Sequence, residues 1–194
     1  MNIEQIQGYN YPSAHLNKIL HYWMNEKKRY YDSKELVYVA EATENSIGVV
    51  KEEFEPQFGD TGRSDWYTIE NQDILDIIFM NCPVTPDRTL GAGILELNGE
   101  KFAPHVDPTD DRTHCLNYIL NPGSANAETV WYEIKEEHKW RNVHCCWIPY
   151  DRLIEKERHT LKSHTWYKIR TDLPHSVENI NGTRLIISIP LKNN

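Results

Sequence analysis

Four cysteines are the whole complement of this 194-residue chain, at positions 82, 115, 145 and 146, and no two of them form a C-x-x-C pair. Neither a zinc ribbon nor a disulfide framework is indicated, and Cys145 and Cys146 in "VHCCW" read as small apolar residues of a core strand. Long apolar runs are missing as well. "RLIISIPL" is among the longest, far short of the roughly 18 residues that a membrane-crossing helix needs. The opening "MNIEQIQGYN" has neither the basic start nor the apolar centre of an export signal, so the expected location is the cytoplasm. Basic blocks are scarce, none longer than Lys27-Lys28-Arg29, and the net charge is 21 − 29 = −8. That balance disfavours a chain whose business is gripping phosphate backbones, so nucleic acid is not an expected partner, and neither is a membrane. What remains is the composition of a globular protein long enough to bury a core as one domain over 1–194.

Helical signals fall in the first 90 residues. Leu16, Ile19, Leu20, Trp23 and Met24 recur at the spacing of one helical face, with Ser13 as the expected N-cap after Pro12. A shorter helix is expected from Asn71 to Met80, where Ile74, Leu75, Ile77 and Ile78 recur and "NCPVTP" stops it. Between the two, 45–70 is polar and irregular, after a short strand at 36–40. From residue 91 the chain turns to short strands, expected at 91–99, 101–106, 114–121, 128–134, 142–150, 165–170, 175–180 and 183–191. That spacing predicts a mainly β protein with N-terminal helices, in which 1–90 buttresses a jelly-roll core over 91–191.

The stretch "EKFAPHVDPTDD" carries the first chemical signal. On a strand, His105 and Asp107 project from one face, because side chains alternate. The pair alone is as compatible with two structural polar residues as with metal binding. Two histidines and one carboxylate, however, make the facial triad of non-haem Fe(II) sites, and His175 offers the second histidine late in the β-core. Asn181-Gly182 predicts a type I′ hairpin in which Ile180 faces Thr183. On that register His175 lies opposite Ser188 and Asn179 opposite Arg184, all on one face. Arg184 and Ser188 are then roughly 13 Å apart at about 3.3 Å per residue. The gap suits a small dicarboxylate with one end on a metal at His175 and the other gripped by a guanidinium, which binds carboxylates bidentately and stays charged.

His105-x-Asp107, then His175, then Arg184 nine residues on, resembles the Fe(II)- and 2-oxoglutarate-dependent oxygenases over about half the chain. "PHVDPTDDRTHCLNYILNP" and "PHSVEN…TR" are similar to small prolyl-hydroxylase-like and to aspartyl/asparaginyl-hydroxylase-like members. The resemblance implies a double-stranded β-helix of cupin-like jelly-roll type, with helices against one sheet. It implies Fe(II) on His105, Asp107 and His175, 2-oxoglutarate held by Arg184, and O₂ as the oxidant. A C–H bond of a peptidyl residue or small molecule would be hydroxylated, with release of succinate and CO₂. The aspartyl/asparaginyl-like group has an Arg-x-His after its first iron ligand that helps hold the cosubstrate, for which Arg112 and His114 are candidates. That group lacks the carboxylate ligand, so Asp107 is a departure from it. Asp107 also weighs against halogenases, which vacate that position for chloride.

Further candidates have structural alternatives. Tyr118 shares strand parity with His114 and is a candidate for the cosubstrate, or an ordinary half-buried tyrosine. Ser188 is a candidate on the same face as His175, and strand packing explains it equally well. Thr129 and Trp131 are candidates to line the cavity, with aromatic core as the plainer reading. The segment 58–67, "FGDTGRSDWY", is a candidate lid over the site mouth. The competing functions are a cupin-type metal-binding jelly roll that does not use 2-oxoglutarate and a non-catalytic binding module.

Overall fold

The computed structural model describes residues 2–33, 63–107, 113–135 and 146–192. The strand expected at 36–40 lies outside them. Eleven strands are formed among the described residues: β1 (Ile3–Ile6), β2 (Arg63–Thr68), β3 (Gly93–Asn98), β4 (Phe102–Val106), β5 (His114–Pro122), β6 (Glu128–Ile134), β7 (Cys146–Trp147), β8 (Leu153–Thr160), β9 (Trp166–Arg170), β10 (His175–Glu178) and β11 (Thr183–Leu191). Helix α1 spans Ser13–Ser33 and α2 spans Gln72–Met80.

Both helices follow the expected apolar spacing. The Pro12 carbonyl accepts from the His15 and Leu16 amides, so α1 begins at Ser13 itself. Met24, placed by its spacing on the packed face, is exposed. In α2, Asn71 caps the first turn, its Oδ1 accepting from the Ile74 amide at 3.1 Å, which satisfies one otherwise orphaned donor. No helix of the described residues is long and apolar enough to cross a membrane.

The strands form two antiparallel sheets. One runs β1-β9-β5-β11-β3-β2, the other β7-β4-β10-β6-β8. Asn181-Gly182, read as a hairpin signal, is instead a crossover between sheets, and so is Asn98-Gly99. The expected pairing of 175–180 with 183–191 is not formed: β10 pairs with β4 and β6, whereas β11 pairs with β3 and β5. His175 therefore faces His105 and Trp131, and Ser188 faces Gly93 and Asn117. Gly99 and Gly182 both have φ of +117°, a conformation open to glycine and costly to other residues. The two crossovers run side by side, because the Ile180 amide donates to the Glu100 carbonyl at 2.8 Å and Thr183 Oγ1 donates to Asn98 Oδ1 at 2.7 Å. The β3–β4 and β10–β11 segments thus make one antiparallel ribbon bent across both sheets, and β5–β6 makes a second with β8–β9. This is the double-stranded β-helix, a jelly roll.

Three strands were not legible as such. β1 precedes the first expected element, β2 falls in the 45–70 segment expected to be irregular, and β8, "LIEKERHT", carries alternating charges in place of an apolar face. All three lie at sheet edges, where charged and short strands blunt an open backbone. Of the strand expected at 142–150, only Cys146–Trp147 is a strand of the described residues, and Tyr150–Arg152 is a single 3₁₀ turn. Cys115 is buried and Cys82 half-buried, both as free thiols.

The faces of the six-stranded sheet set the chemistry. Its outer face, with Ile94, Leu116, Tyr118, Leu120, Trp166, Leu185, Ile187 and Ile189, packs with Ile19 of α1 and Ile74, Ile77 and Ile78 of α2. Its inner face places Ile119, Tyr167, Ile169 and Ile186 against Trp131 of the other sheet. Leu97 packs likewise with Val177 and Ile180. Arg184 and Ser188 of β11 are the buried polar candidates on this inner face, while His105 and His175 belong to the opposite sheet.

Candidate metal centre and its buried arginine

His105, near the end of β4, and His175, at the start of β10, are cross-strand partners, and their ring centroids stand 4.3 Å apart. Asp107 follows β4 directly, with its backbone amide donating to the Thr171 carbonyl at 3.1 Å. One ligand atom from each of His105, Asp107 and His175 lies within 4.8 Å of the others. His105 Nε2 is 3.4 Å from Asp107 Oδ1.

Both imidazoles are oriented in the same way. His105 Nδ1 lies 2.9 Å from the Ala103 carbonyl and His175 Nδ1 2.9 Å from the Leu173 carbonyl. A carbonyl only accepts, so Nδ1 carries the proton in each neutral ring and Nε2 keeps its lone pair. This backbone contact is the usual way a ligating histidine is held in tautomer and orientation. Burial first, and then the neighbouring His105, push His175 down to about 4, so it stays neutral and ready to ligate over the physiological range. Two imidazoles and one carboxylate, with ligand atoms converging, fit a divalent first-row metal with open positions.

Arg184, in β11, projects from the inner face of the six-stranded sheet and crosses the interior. Its Nη2 donates to Thr129 Oγ1 of β6 at 3.0 Å. Thr129 pairs with Val177, and Trp131, two residues on, pairs with His175. The guanidinium is therefore anchored one inward-facing row from the histidine, roughly 7 Å along the strand. The hairpin placed Arg184 on the same sheet as His175; the structure brings it from the opposite sheet, facing the same interior.

The surroundings of that cation are unusual. Arg184 is 1% exposed, no carboxylate of the described residues pairs with it, and its Nε and Nη1 have no hydrogen-bond partner. Burial pulls its pKa down to about 10, which leaves it charged at neutral pH. A buried charge without an anion costs several kcal/mol, on the order of the penalty for one desolvated ion. Two more buried inner atoms lack partners: Asn117 Oδ1 and Thr171 Oγ1. Asn117 pairs with Ser188, so both project from the inner face. Asn117 and Thr171 were missed in the sequence. The signal for Asn117 is its parity with Cys115 and Ile119, which makes it a polar residue on an apolar face.

The remaining candidates divide by face. Ser188 is buried on the inner face, and Thr129 and Trp131 line it from the other sheet. Trp131 is fixed by its Nε1, which donates to the Arg170 carbonyl at 2.9 Å. Tyr118 and His114 are corrections. Both have outer parity, so neither points at the triad. Tyr118 packs with Tyr11 and Trp166, at centroid distances of 4.7 and 5.1 Å. His114 bonds Thr113 Oγ1 through Nδ1 at 2.8 Å, and burial, with Lys168 beside it, lowers its pKa. Arg112 lies outside the described residues. So does 58–62 of the expected lid, while 63–67 is not a loop but most of β2. Within β2, Tyr67 packs under the helices and Trp66 shares the inner face.

No protein-family model matches the chain, and no curated protein matches it in sequence. Solved structures similar to it include a Pseudomonas putida prolyl-4-hydroxylase, at 12% identity, 99% of this chain, 93% of that one and a TM-score of 0.49. A mutant of Bacillus subtilis oxalate decarboxylase OxdC matches at 13% identity over 69% of this chain, TM-score 0.34, and E. coli ycfD at 10% over 75%, TM-score 0.38. The chain spans about a quarter of the decarboxylase (26%) and under half of ycfD (46%). At such values the likenesses carry no weight for function. The jelly roll rests on the strand order and register given above.

Proposed function

We propose that the protein is an Fe(II)- and 2-oxoglutarate-dependent oxygenase that hydroxylates a C–H bond of a peptidyl residue or small molecule. The observation that carries this reading is the buried Arg184 guanidinium, which no carboxylate among the described residues pairs with, anchored one inward-facing row from His175 of the His105/Asp107/His175 cluster. His105, Asp107 and His175 would hold Fe(II), whose chemistry, when bound, couples activation of O₂ to decarboxylation of 2-oxoglutarate and oxidation of the substrate. Arg184, steadied by Thr129, would bind the far carboxylate of the cosubstrate through its free Nε and Nη1, with Ser188 and Asn117 on the same inner face. Trp131, Ile119 and Ile186 keep the interior apolar, which strengthens each of those polar contacts.

A cupin-type site without 2-oxoglutarate would need the triad but has no use for a buried, unpaired arginine. The two readings part in a direct assay. Protein purified without oxygen and given Fe(II) and 2-oxoglutarate should develop a weak visible charge-transfer band, then release succinate when O₂ is admitted. Absence of the band together with absence of 2-oxoglutarate binding would leave only the metal site.

A further inference from the structure

Trp66 is a large aromatic residue left 44% exposed, and it lies on an edge strand of the six-stranded sheet with the parity of that sheet's inner face. It pairs with Leu95 of β3, which packs on the inner face with Leu97, Val177 and Phe102. Phe102 packs against the same Leu97, Val177 and Ile180 cluster as Leu95, and its ring meets the His105 imidazole at 4.8 Å between centroids. The indole occupies the space above Gly93. A Cβ added there would come within 2.1, 2.3 and 2.7 Å of three of its benzo-ring carbons. Gly93 in turn pairs with Ser188, beside the inner-face polar residues. Trp66 Nε1 donates to Thr68 Oγ1 at 3.2 Å, which fixes the ring in its plane. Only glycine at 93 lets the indole settle onto the sheet, and the arrangement leaves it partly open at the margin of the interior.

We propose that Trp66 contacts the substrate, and that the group it receives is a ring, saturated or aromatic, that stacks on the indole. This rests on the reading of the neighbouring cluster as a substrate-oxidising site. A flat aromatic surface discriminates by shape: rings lay a whole face on it, while flexible linear side chains lose rotamer freedom to cover the same area. The ring can belong to a peptide or to a free small molecule.

The test is calorimetric titration of protein loaded with Mn(II) and 2-oxoglutarate, where no turnover intervenes. Capped tripeptides Ac-Gly-Xaa-Gly-amide with Pro, Phe, Tyr or Trp at the centre are compared with Leu, Lys and Asp at the centre, and with free prolinamide and indole. At least one ring ligand should bind more tightly than every linear one. Trp66→Ala should weaken it about tenfold, and Trp66→Phe by no more than about threefold, with 2-oxoglutarate affinity unchanged in both. Gly93→Ala should reproduce the loss by displacing the indole, and combining it with Trp66→Ala should add nothing further. Ring peptides alone binding identifies a peptidyl substrate; equal binding of the free rings identifies a small molecule. Failure of every ring ligand to bind, equal affinity for linear centres, or an unaffected Trp66→Ala overturns the proposal. If 2-oxoglutarate itself fails to bind, the oxygenase reading falls, and the same titrations on protein loaded with metal alone decide the role of Trp66 separately.

Discussion

Arg184 and Thr129 join the two sheets across the protein interior, guanidinium Nη2 to hydroxyl Oγ1 at 3.0 Å, and this is the one hydrogen bond that the buried cation makes among the described residues. A single neutral partner does not offset the desolvation of a full charge. The residue is held in a state that an anion would relieve.

Replacing Arg184 with methionine should therefore stabilise the ligand-free protein, by about 1–4 kcal/mol, the range seen when even a buried ion pair gives way to apolar residues of similar volume. Thermal unfolding of the two proteins checks it. A ligand-free Arg184→Met protein that melts lower would show that Arg184 is already satisfied.

Metal binding should raise stability with the logarithm of metal concentration over Kd, because the ligand atoms converge only in the folded chain. Mn(II) or Fe(II) should raise the melting temperature of the wild type and a chelator should reverse the shift. Asp107→Ala and His175→Ala should each abolish most of it. A shift that survives both substitutions would place the metal elsewhere.

The depressed pKa of His175 gives a pH dependence with a definite sign. The unfolded chain takes up the proton near pH 6.5 and the folded protein only near pH 4, so the unfolded state binds more protons between these values. Stability of the metal-free protein should be full above about pH 6.5 and fall as the pH drops toward 4. This site contributes on the order of 3 kcal/mol to that loss. Denaturant titrations across this window should show a shallower slope for His175→Leu; an unchanged slope would mean that His175 titrates normally.

Tyr118 packs under the helices, so Tyr118→Phe should leave metal and 2-oxoglutarate affinity within about twofold of wild type, in keeping with the small effect of a change remote from the ligand. Titration of 2-oxoglutarate into the Mn(II)-loaded variant decides it. A tenfold loss would contradict the face assigned to Tyr118.

The shared side of His105 and Asp107 was legible in the sequence because its logic is local. His105 and Asp107 are two apart, and period-two alternation puts them on one side wherever the strand goes. The third ligand and the arginine were legible as residue types in order, but the hairpin used to join them was not formed. Asn181-Gly182 and Asn98-Gly99 encode a glycine conformation, and that conformation serves a crossover as well as a tight turn. Which sheet the next strand enters depends on long-range pairing, as with β11 between β3 and β5. The same limit caught Tyr118 and His114: their shared parity was readable, but which parity looks inward is decided by where α1 and α2 dock. β8 was hidden for another reason, since an edge strand that must resist further pairing carries charges where an alternation signal would be.

On the proposed function, Arg184 and the His105/Asp107/His175 cluster together form a metal-dependent dicarboxylate site. Its most direct test is the affinity of 2-oxoglutarate for the Mn(II)-loaded and metal-free wild type and for Mn(II)-loaded Arg184→Met, measured by calorimetry at one pH. Binding that requires the metal and falls at least about a hundredfold in Arg184→Met is the predicted result, matching loss of a buried charge-assisted pair. Binding that is equal in all three samples would contradict it.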